Sequence, residues 1–322
     1  MSTAFVTGGS GFIGGALVRR LVADGWSVRA LARSDAAARR VGDRGAEPVR
    51  GDLGDVDAMA AGAGGADLVF HAAAHLGDWG RRADFERGNV QGTRNALAAA
   101  RKARARRFVH VGTEAALLAG DPLIEVDEDA ALRFDSPALY ASTKARAEEA
   151  VIEANGNGLQ TVVIRPRFVW GRGDTTLLPL MAQMVRSGRW AWIGGGRHRT
   201  STTHVDNVVH GLMLGAERGV PGGVYFVTDG EPVVFRDFVS RLLATQGVTP
   251  PDRSLPLGVA RAAAAAGETA WRVLPLPGRP PITRFGVWVS ALETTIDITR
   301  ARTELGYEPV TTIDEGLEGL QS

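Results

Sequence analysis

Tyr140 and Lys144 are separated by Ala141, Ser142 and Thr143. On a helix that spacing puts a phenol and an ammonium on one face, one turn apart. A free phenol titrates near ~10. A fixed cation beside it stabilises the phenolate, so the hydroxyl can exchange a proton near neutral pH. The ordinary alternative is a surface tyrosine beside a solvated lysine, and residue usage argues against it. The chain has three tyrosines, and its only lysines are Lys102 and Lys144; every other long cationic side chain is arginine. An arginine-biased chain that keeps a lysine here needs a compact ammonium rather than a guanidinium.

The elements that must position this pair begin at the N-terminus. Ala4-Phe5-Val6 reads as a short apolar strand, followed by Thr7-Gly8-Gly9-Ser10-Gly11-Phe12-Ile13-Gly14. Ile13, Leu17 and Leu21 then recur every four residues, which predicts an amphipathic helix stopped by Gly25. Strand, glycine turn and helix together give a dinucleotide site. Gly8 permits the tight turn, Gly11 lets backbone amides approach a pyrophosphate, and Gly14 allows close helix–strand packing. The turn residues Ser10, Phe12 and Ile13 belong to the same cradle. A second strand, Ser27 to Arg33, should end beside the adenosine ribose, where an NAD site usually carries an acid. Here stand Ala32 and Arg33, with no carboxylate to repel a 2′-phosphate and a guanidinium to bind it. NADP(H) is therefore expected in preference to NAD(H), with NAD(H) possible.

Further strands follow in order. Glu47 to Leu53 ends in Gly51-Asp52-Leu53, a resting place for adenine, and Asp67 to Ala74 runs into Ala72 and Ala73, small enough to lie beneath a cofactor. Asn89 opens a helix whose end is the basic run Arg101 to Arg107. That run fits a solvated helix C-terminus better than a nucleic-acid site. The strand Arg107 to Val111 leads into Gly112-Thr113, a hydroxyl at the C-terminal end of a parallel strand. His71 and His75 are left without a chemical role, and no metal site is expected.

Composition bounds the rest. At 322 residues the chain has ample core for one enlarged domain or two unequal ones. A net charge of +1 gives no pull toward nucleic acid. The absence of cysteine excludes disulfides and thiolate chemistry. No signal peptide or membrane-spanning stretch is read, so a cytoplasmic location is expected.

Thr7-Gly8-x-x-Gly11-x-x-Gly14, Asp52-Leu53, Ala72-Ala73, Asn89, Thr113 and Tyr140-x-x-x-Lys144 together resemble the extended short-chain dehydrogenase/reductase superfamily, of the NAD-dependent epimerase/dehydratase type. Arg165-Pro166, Trp170-Gly171, His204-Val205-Asp206-Asn207 and Leu305-Gly306-Tyr307 extend the likeness nearly end to end. Val111-Gly112-Thr113-Glu114-Ala115 and the proline-broken C-terminal third are most similar to its 3β-hydroxysteroid dehydrogenase-like branch. The resemblance implies that Tyr140 is the general acid/base, that Lys144 holds the nicotinamide ribose and lowers the Tyr140 pKa, and that Thr113 orients the substrate oxygen. It places Val111, Pro166 and Phe168 beside the cofactor, gives Asn89 a supporting part and Asp206 an architectural one. Thr113 stands where relatives usually have serine; its branched carbon restricts χ1. Helices equivalent to Asn89–Arg101 and Tyr140–Ala154 often pair in relatives, so a homodimer is expected.

The fold expected is α/β: a Rossmann-type, doubly wound parallel sheet with a smaller, discontinuous C-terminal substrate lobe. The dinucleotide-binding domain is read as residues 1–170 with a return segment at 201–232, and the lobe as 171–200 and 233–322. Pro256, Pro275, Pro277, Pro280 and Pro281 flank an alanine-rich helix in that lobe. Trp79, Trp170, Trp190, Trp192, Trp271 and Trp288 supply stiff apolar area suited to an apolar pocket. The leading reading is an oxidoreductase interconverting a secondary alcohol and a ketone on a largely apolar substrate, such as a 3β-hydroxysteroid or a 2-alkyl-3-oxoalkanoate. A nucleotide-sugar epimerase or dehydratase with retained NAD is the alternative, and a non-catalytic dinucleotide sensor a third.

Overall fold

The computed structural model describes residues 2–274 and 276–321; Pro275, one of the prolines noted above, lies outside them. Seven parallel strands form the main sheet: β1 (Thr3–Thr7), β2 (Ser27–Ala32), β3 (Glu47–Arg50), β4 (Leu68–His71), β5 (Arg107–Val111), β6 (Gln160–Pro166) and β7 (Val224–Val227). Their spatial order is 3-2-1-4-5-6-7. All four residues of β4 and all five of β5 are buried, as a strand covered on both faces requires. The order reverses between β1 and β4, whose register pairs Thr7 with His71. A crevice at such a switch point is where open α/β sheets bind ligands.

Helices cover both faces. Leu17 and Leu21 of the first helix, Phe12–Ala23, pack with Val6, Val208, Leu212 and Phe226 on one side. On the other, Met59, Leu97, Ala100 and Val151 close over Phe5 and Phe108. The alanine-rich faces matter here, because Ala96 and Ala100 let helix Gly92–Lys102 approach the sheet. The expected helix opening at Asn89 instead begins with a π-helical turn, Glu86–Gln91, before becoming α-helical at Gly92. That wider turn places Asn89 inside the protein, 2 % exposed.

The smaller C-terminal region is built from separated segments. Its four-stranded sheet aligns Val233–Val234, Arg199–Thr200, Thr294–Ile296 and Leu123–Val126, the last coming from the first half of the chain. Trp170, Trp190 and Trp192 are core here, packed edge-on among Phe235, Phe238 and each other rather than lining a pocket. Asp229 ties the two regions together. It accepts from Trp170 Nε1 at 2.8 Å, Thr202 Oγ1 at 2.7 Å, Asn207 Nδ2 at 2.7 Å and the His204 amide. The architectural part expected of Asp206 therefore falls to Asp229, because Asp206 sits at the start of helix Val205–Arg218 with its side chain 60 % exposed. Among the described residues no helix is long and apolar enough to cross a membrane.

Candidate active site

The glycine turn between β1 and helix Phe12–Ala23 has the shape that a pyrophosphate needs. Gly8 sits at φ +77°, and a Cβ there would lie 2.7 Å from the Ala72 carbonyl carbon and the Ala73 nitrogen. A Cβ on Gly14 would overlap the Gly8 carbonyl oxygen. Only glycine fits either position. Gly11 caps the helix without a side-chain acceptor, and no acid occupies its first turn. The first bond back runs from the Gly15 amide to the Gly11 oxygen at 3.2 Å. The amides of Phe12, Ile13 and Gly14, with the positive end of the helix dipole, thus face outward where an anion binds. Ser10 lies half-buried in this turn. Gly173, from the loop after Val169–Trp170, comes within 3.8 Å of the Phe12 ring, if given a Cβ, and so flanks it.

At the β2–β3 end a cavity of about 580 Å³ is lined by Arg33, Asp52, Asp55, Val56 and Asp57. Arg33 is exposed. Asp52 accepts from the Gly54 amide at 2.7 Å, and Asp57 pairs with Lys102 at 2.7 Å. Leu53 packs toward Gly92, and its carbonyl takes the Asn95 amide at 2.7 Å. Ala72 and Ala73 follow β4 directly, with Ala72 N–H bonded to the Thr7 oxygen at 3.1 Å.

Tyr140 and Lys144 share helix Leu139–Glu153, as the spacing predicts. Lys144 is 3 % exposed; its Nζ donates to the Val111 carbonyl at 2.9 Å and lies 3.3 Å from His110 Nε2. Burial lowers its pKa to about 8, against a raising influence from Glu148. Val111 therefore meets the site through its carbonyl, at the C-terminal end of β5, one residue before Gly112-Thr113. Tyr140 carries the ring of Phe285 edge-on at 5.5 Å. Burial pushes the phenol pKa up, the Glu114 carboxylate adds to that, and contact with the Thr113 hydroxyl works the other way. Lys144 is not among these influences, so the lowering expected of it from sequence is not found in this geometry. Two buried charged groups that sequence reasoning left aside stand beside Thr113 and Tyr140. Glu114, 4 % exposed, holds Thr113 Oγ1 at 2.8 Å and Arg167 at 2.7 Å, and Arg167 is itself 1 % exposed. A charged residue directly after the strand-end hydroxyl was the available signal.

Asn89 braces the same helix. Its Oδ1 accepts from the His75 amide at 2.7 Å, and its Nδ2 donates to Thr143 Oγ1 at 3.1 Å. His71 is buried between Thr7 and Thr93, and burial lowers its pKa to about 3. Pro166 ends β6. Phe168, at φ +42°, turns its ring away into the smaller region, 5.9 Å from both Phe235 and Phe238.

A Rossmann sheet with this glycine turn and a Tyr-x-x-x-Lys helix defines a nicotinamide-dependent dehydrogenase/reductase, and the chain belongs to the 3-beta hydroxysteroid dehydrogenase/isomerase family, whose model matches residues 5–257. It is an NAD(P)-dependent dehydrogenase/reductase acting on CH–OH groups. It is 48% identical over 317 residues to the 4-hydroxy-2-methyl-3-oxo-4-farnesyl-3,4-dihydroquinoline-1-oxide ketoreductase of Stigmatella aurantiaca, covering 98% of this chain and 95% of that one. It is 36% identical to the 2-alkyl-3-oxoalkanoate reductase of Stenotrophomonas maltophilia (strain K279a), covering 98% of each. Among solved structures, a double mutant of the dTDP-glucose 4,6-dehydratase of Streptomyces venezuelae with NAD bound superposes with a TM-score of 0.76 at 23% identity, over 99% of this chain and 95% of that one.

The expected preference for NADP(H) is corrected by these comparisons: several solved structures that share this fold, the Streptomyces venezuelae dehydratase among them, are complexed with NAD. The physical reason is visible around Arg33. β2 itself brings no carboxylate to the ribose, but Asp52 and Asp55, from the segment after β3, line the same cavity as Arg33. With Asp57 paired to Lys102, two carboxylates and one guanidinium remain along the wall of that cavity. A 2′-phosphate would meet net negative charge there.

Proposed function

We propose that this protein is an NAD(H)-dependent ketoreductase that reduces a ketone to a secondary alcohol on a largely apolar substrate. The observation that supports this reading is that Tyr140 and Lys144 share one helix at the C-terminal end of β5, with the Thr113 hydroxyl against Tyr140 and Lys144 Nζ bonded to the Val111 carbonyl. The amides of Phe12, Ile13 and Gly14 would hold the pyrophosphate, Asp52 and Leu53 the adenosine end, and Ala72, Ala73 and Pro166 the floor of the cleft. Lys144 has a third donor beyond Val111 and His110, which is free for a ribose hydroxyl. The bound dinucleotide supplies hydride. Tyr140 then delivers its phenolic proton to the oxygen of the reduced carbonyl and is reprotonated from solvent. A raised phenol pKa suits this direction, because the acid form persists through neutral pH.

An apolar substrate is supported by the wall around Tyr140. Phe285, Leu257, Leu118 and Trp288 pack in one cluster with it, and Trp288 and Val287 also line a cavity of about 230 Å³ whose rim holds Arg261 and Arg284. A hexose would need polar partners where this wall is aromatic and aliphatic. Both relatives above are named as reductases of ketones that carry alkyl substituents. The test is NADH oxidation against a panel of alkylated 3-oxo acids, cyclic ketones and nucleotide sugars. Turnover confined to the apolar ketones is the expected result; turnover of the sugars without added cofactor would replace this reading. A cytoplasmic homodimer pairing helices Gly92–Lys102 and Leu139–Glu153 completes it, and sedimentation at monomer mass would remove that part.

A further inference from the structure

Thr113 has one hydroxyl proton to give. Its Oγ1 donates to Glu114 Oε2 at 2.8 Å and accepts the Ala115 amide at 3.2 Å. The acceptor is not an ordinary carboxylate. Glu114 is buried, its other oxygen is fixed at 2.7 Å by Arg167, and that guanidinium is anchored through Nη2 to Thr200 Oγ1 at 3.0 Å. Arg167 Nε has no hydrogen-bond partner among the described residues. A charged acceptor draws a hydroxyl proton more strongly than a neutral phenol does. The Glu114 carboxylate thereby outcompetes the Tyr140 phenol for the Thr113 proton, and the lone pair left over accepts.

We infer that Glu114 is a positioning residue: held by Arg167, it fixes Thr113 as a hydrogen-bond acceptor toward the reacting oxygen. This rests on the reading of Tyr140 and Thr113 given above. An alcohol O–H can then donate to Thr113, whereas a ketone oxygen, having no proton to give, takes a hydrogen bond from Tyr140 and none from Thr113. The alcohol is held by two hydrogen bonds and the ketone by one. Glu114 thus sets which partner of the reaction the ground state prefers, and the same carboxylate, close to the phenol, favours its protonated form.

The test compares the wild-type chain with Thr113→Val and with a charge-balanced Glu114→Leu/Arg167→Met variant, measured in both directions. In the charge-balanced variant the Thr113 proton is released, so KM for the ketone should fall relative to KM for the alcohol by about fivefold, the effect of one hydrogen bond. The alkaline limb of kcat/KM for reduction should also move to lower pH. Combined with Thr113→Val, the same replacement should leave the KM ratio of Thr113→Val unchanged, because the two act through one contact. Equal losses in both directions with an unmoved alkaline limb would assign Glu114 a purely structural part and overturn the inference. Should the double variant fail to fold, Glu114→Gln keeps the shape without the charge, and the position of the alkaline limb decides alone. Tyr140→Phe run beside them separates the two levels: full turnover there refutes the proposed function itself, whatever Glu114 does.

Discussion

Replacing Lys144 by methionine removes a buried ammonium that the fold is strained to keep charged. Its pKa drops from an ordinary 10.5 to about 8, with burial as the main cause. A tenfold change in proton affinity is about 1.4 kcal/mol, so holding the charge in the folded state costs about 3 kcal/mol below the folded pKa. The sign follows from linkage. Between about pH 8 and 10.5 the unfolded chain binds the proton and the folded chain does not, so wild-type stability from this group rises with pH. Between about pH 6.5 and 9.5 roughly 2 kcal/mol of the cost is recovered. Methionine lacks the charge and also leaves the Val111 carbonyl and His110 Nε2 without a donor, a penalty of about 1–2 kcal/mol that does not vary with pH. His110 stays neutral over this range, because burial holds its pKa well below the usual histidine value. Urea unfolding followed by tryptophan fluorescence at the two pH values measures the difference. The stability of Lys144→Met relative to wild type should be about 2 kcal/mol better at the lower pH than at the higher. A difference independent of pH would mean that the ammonium is hydrated in the fold and that the burial argument is wrong.

Two other substitutions probe the framework. Gly14→Ala forces a methyl group into the Gly8 carbonyl, so the glycine turn must open; dinucleotide affinity, read by fluorescence titration, should fall at least tenfold with the far-ultraviolet circular dichroism unchanged. Asp229→Ala strands the Trp170 indole N–H, Thr202, Asn207 and the His204 amide at once, and should destabilise by about 3–5 kcal/mol, seen as a lower thermal midpoint.

Much of the fold could be read from short patterns. Ile13, Leu17 and Leu21 at four-residue spacing marked the first helix, and the apolar run Arg107 to Val111 is a strand with those same limits. The Tyr140 and Lys144 spacing survives as one helix face because helix periodicity is local. What sequence could not show is what approaches from elsewhere. Asp52 and Asp55 reach the Arg33 cavity from after β3, about twenty residues beyond it, which reversed the coenzyme argument. Glu114 counts only because Arg167, fifty-three residues on, is buried against it. The tryptophans were visible as apolar area, but whether such area fills a core or lines a pocket depends on tertiary packing, and Trp170, Trp190 and Trp192 went to the core. Asp206 and Asp229 differ in the same way: both carboxylates flank the crossing, and tertiary packing decides that Asp229 gathers the donors.

The central claim is that the Tyr140 phenol supplies the proton when a ketone is reduced at the expense of a bound NADH. Tyr140→Phe, assayed with an apolar 3-oxo substrate under single-turnover conditions, tests it most directly. NADH affinity within about twofold of wild type, with the rate of NADH oxidation at least about a thousandfold lower, is the predicted result. Oxidation of NADH at the wild-type rate by the phenylalanine variant would contradict it.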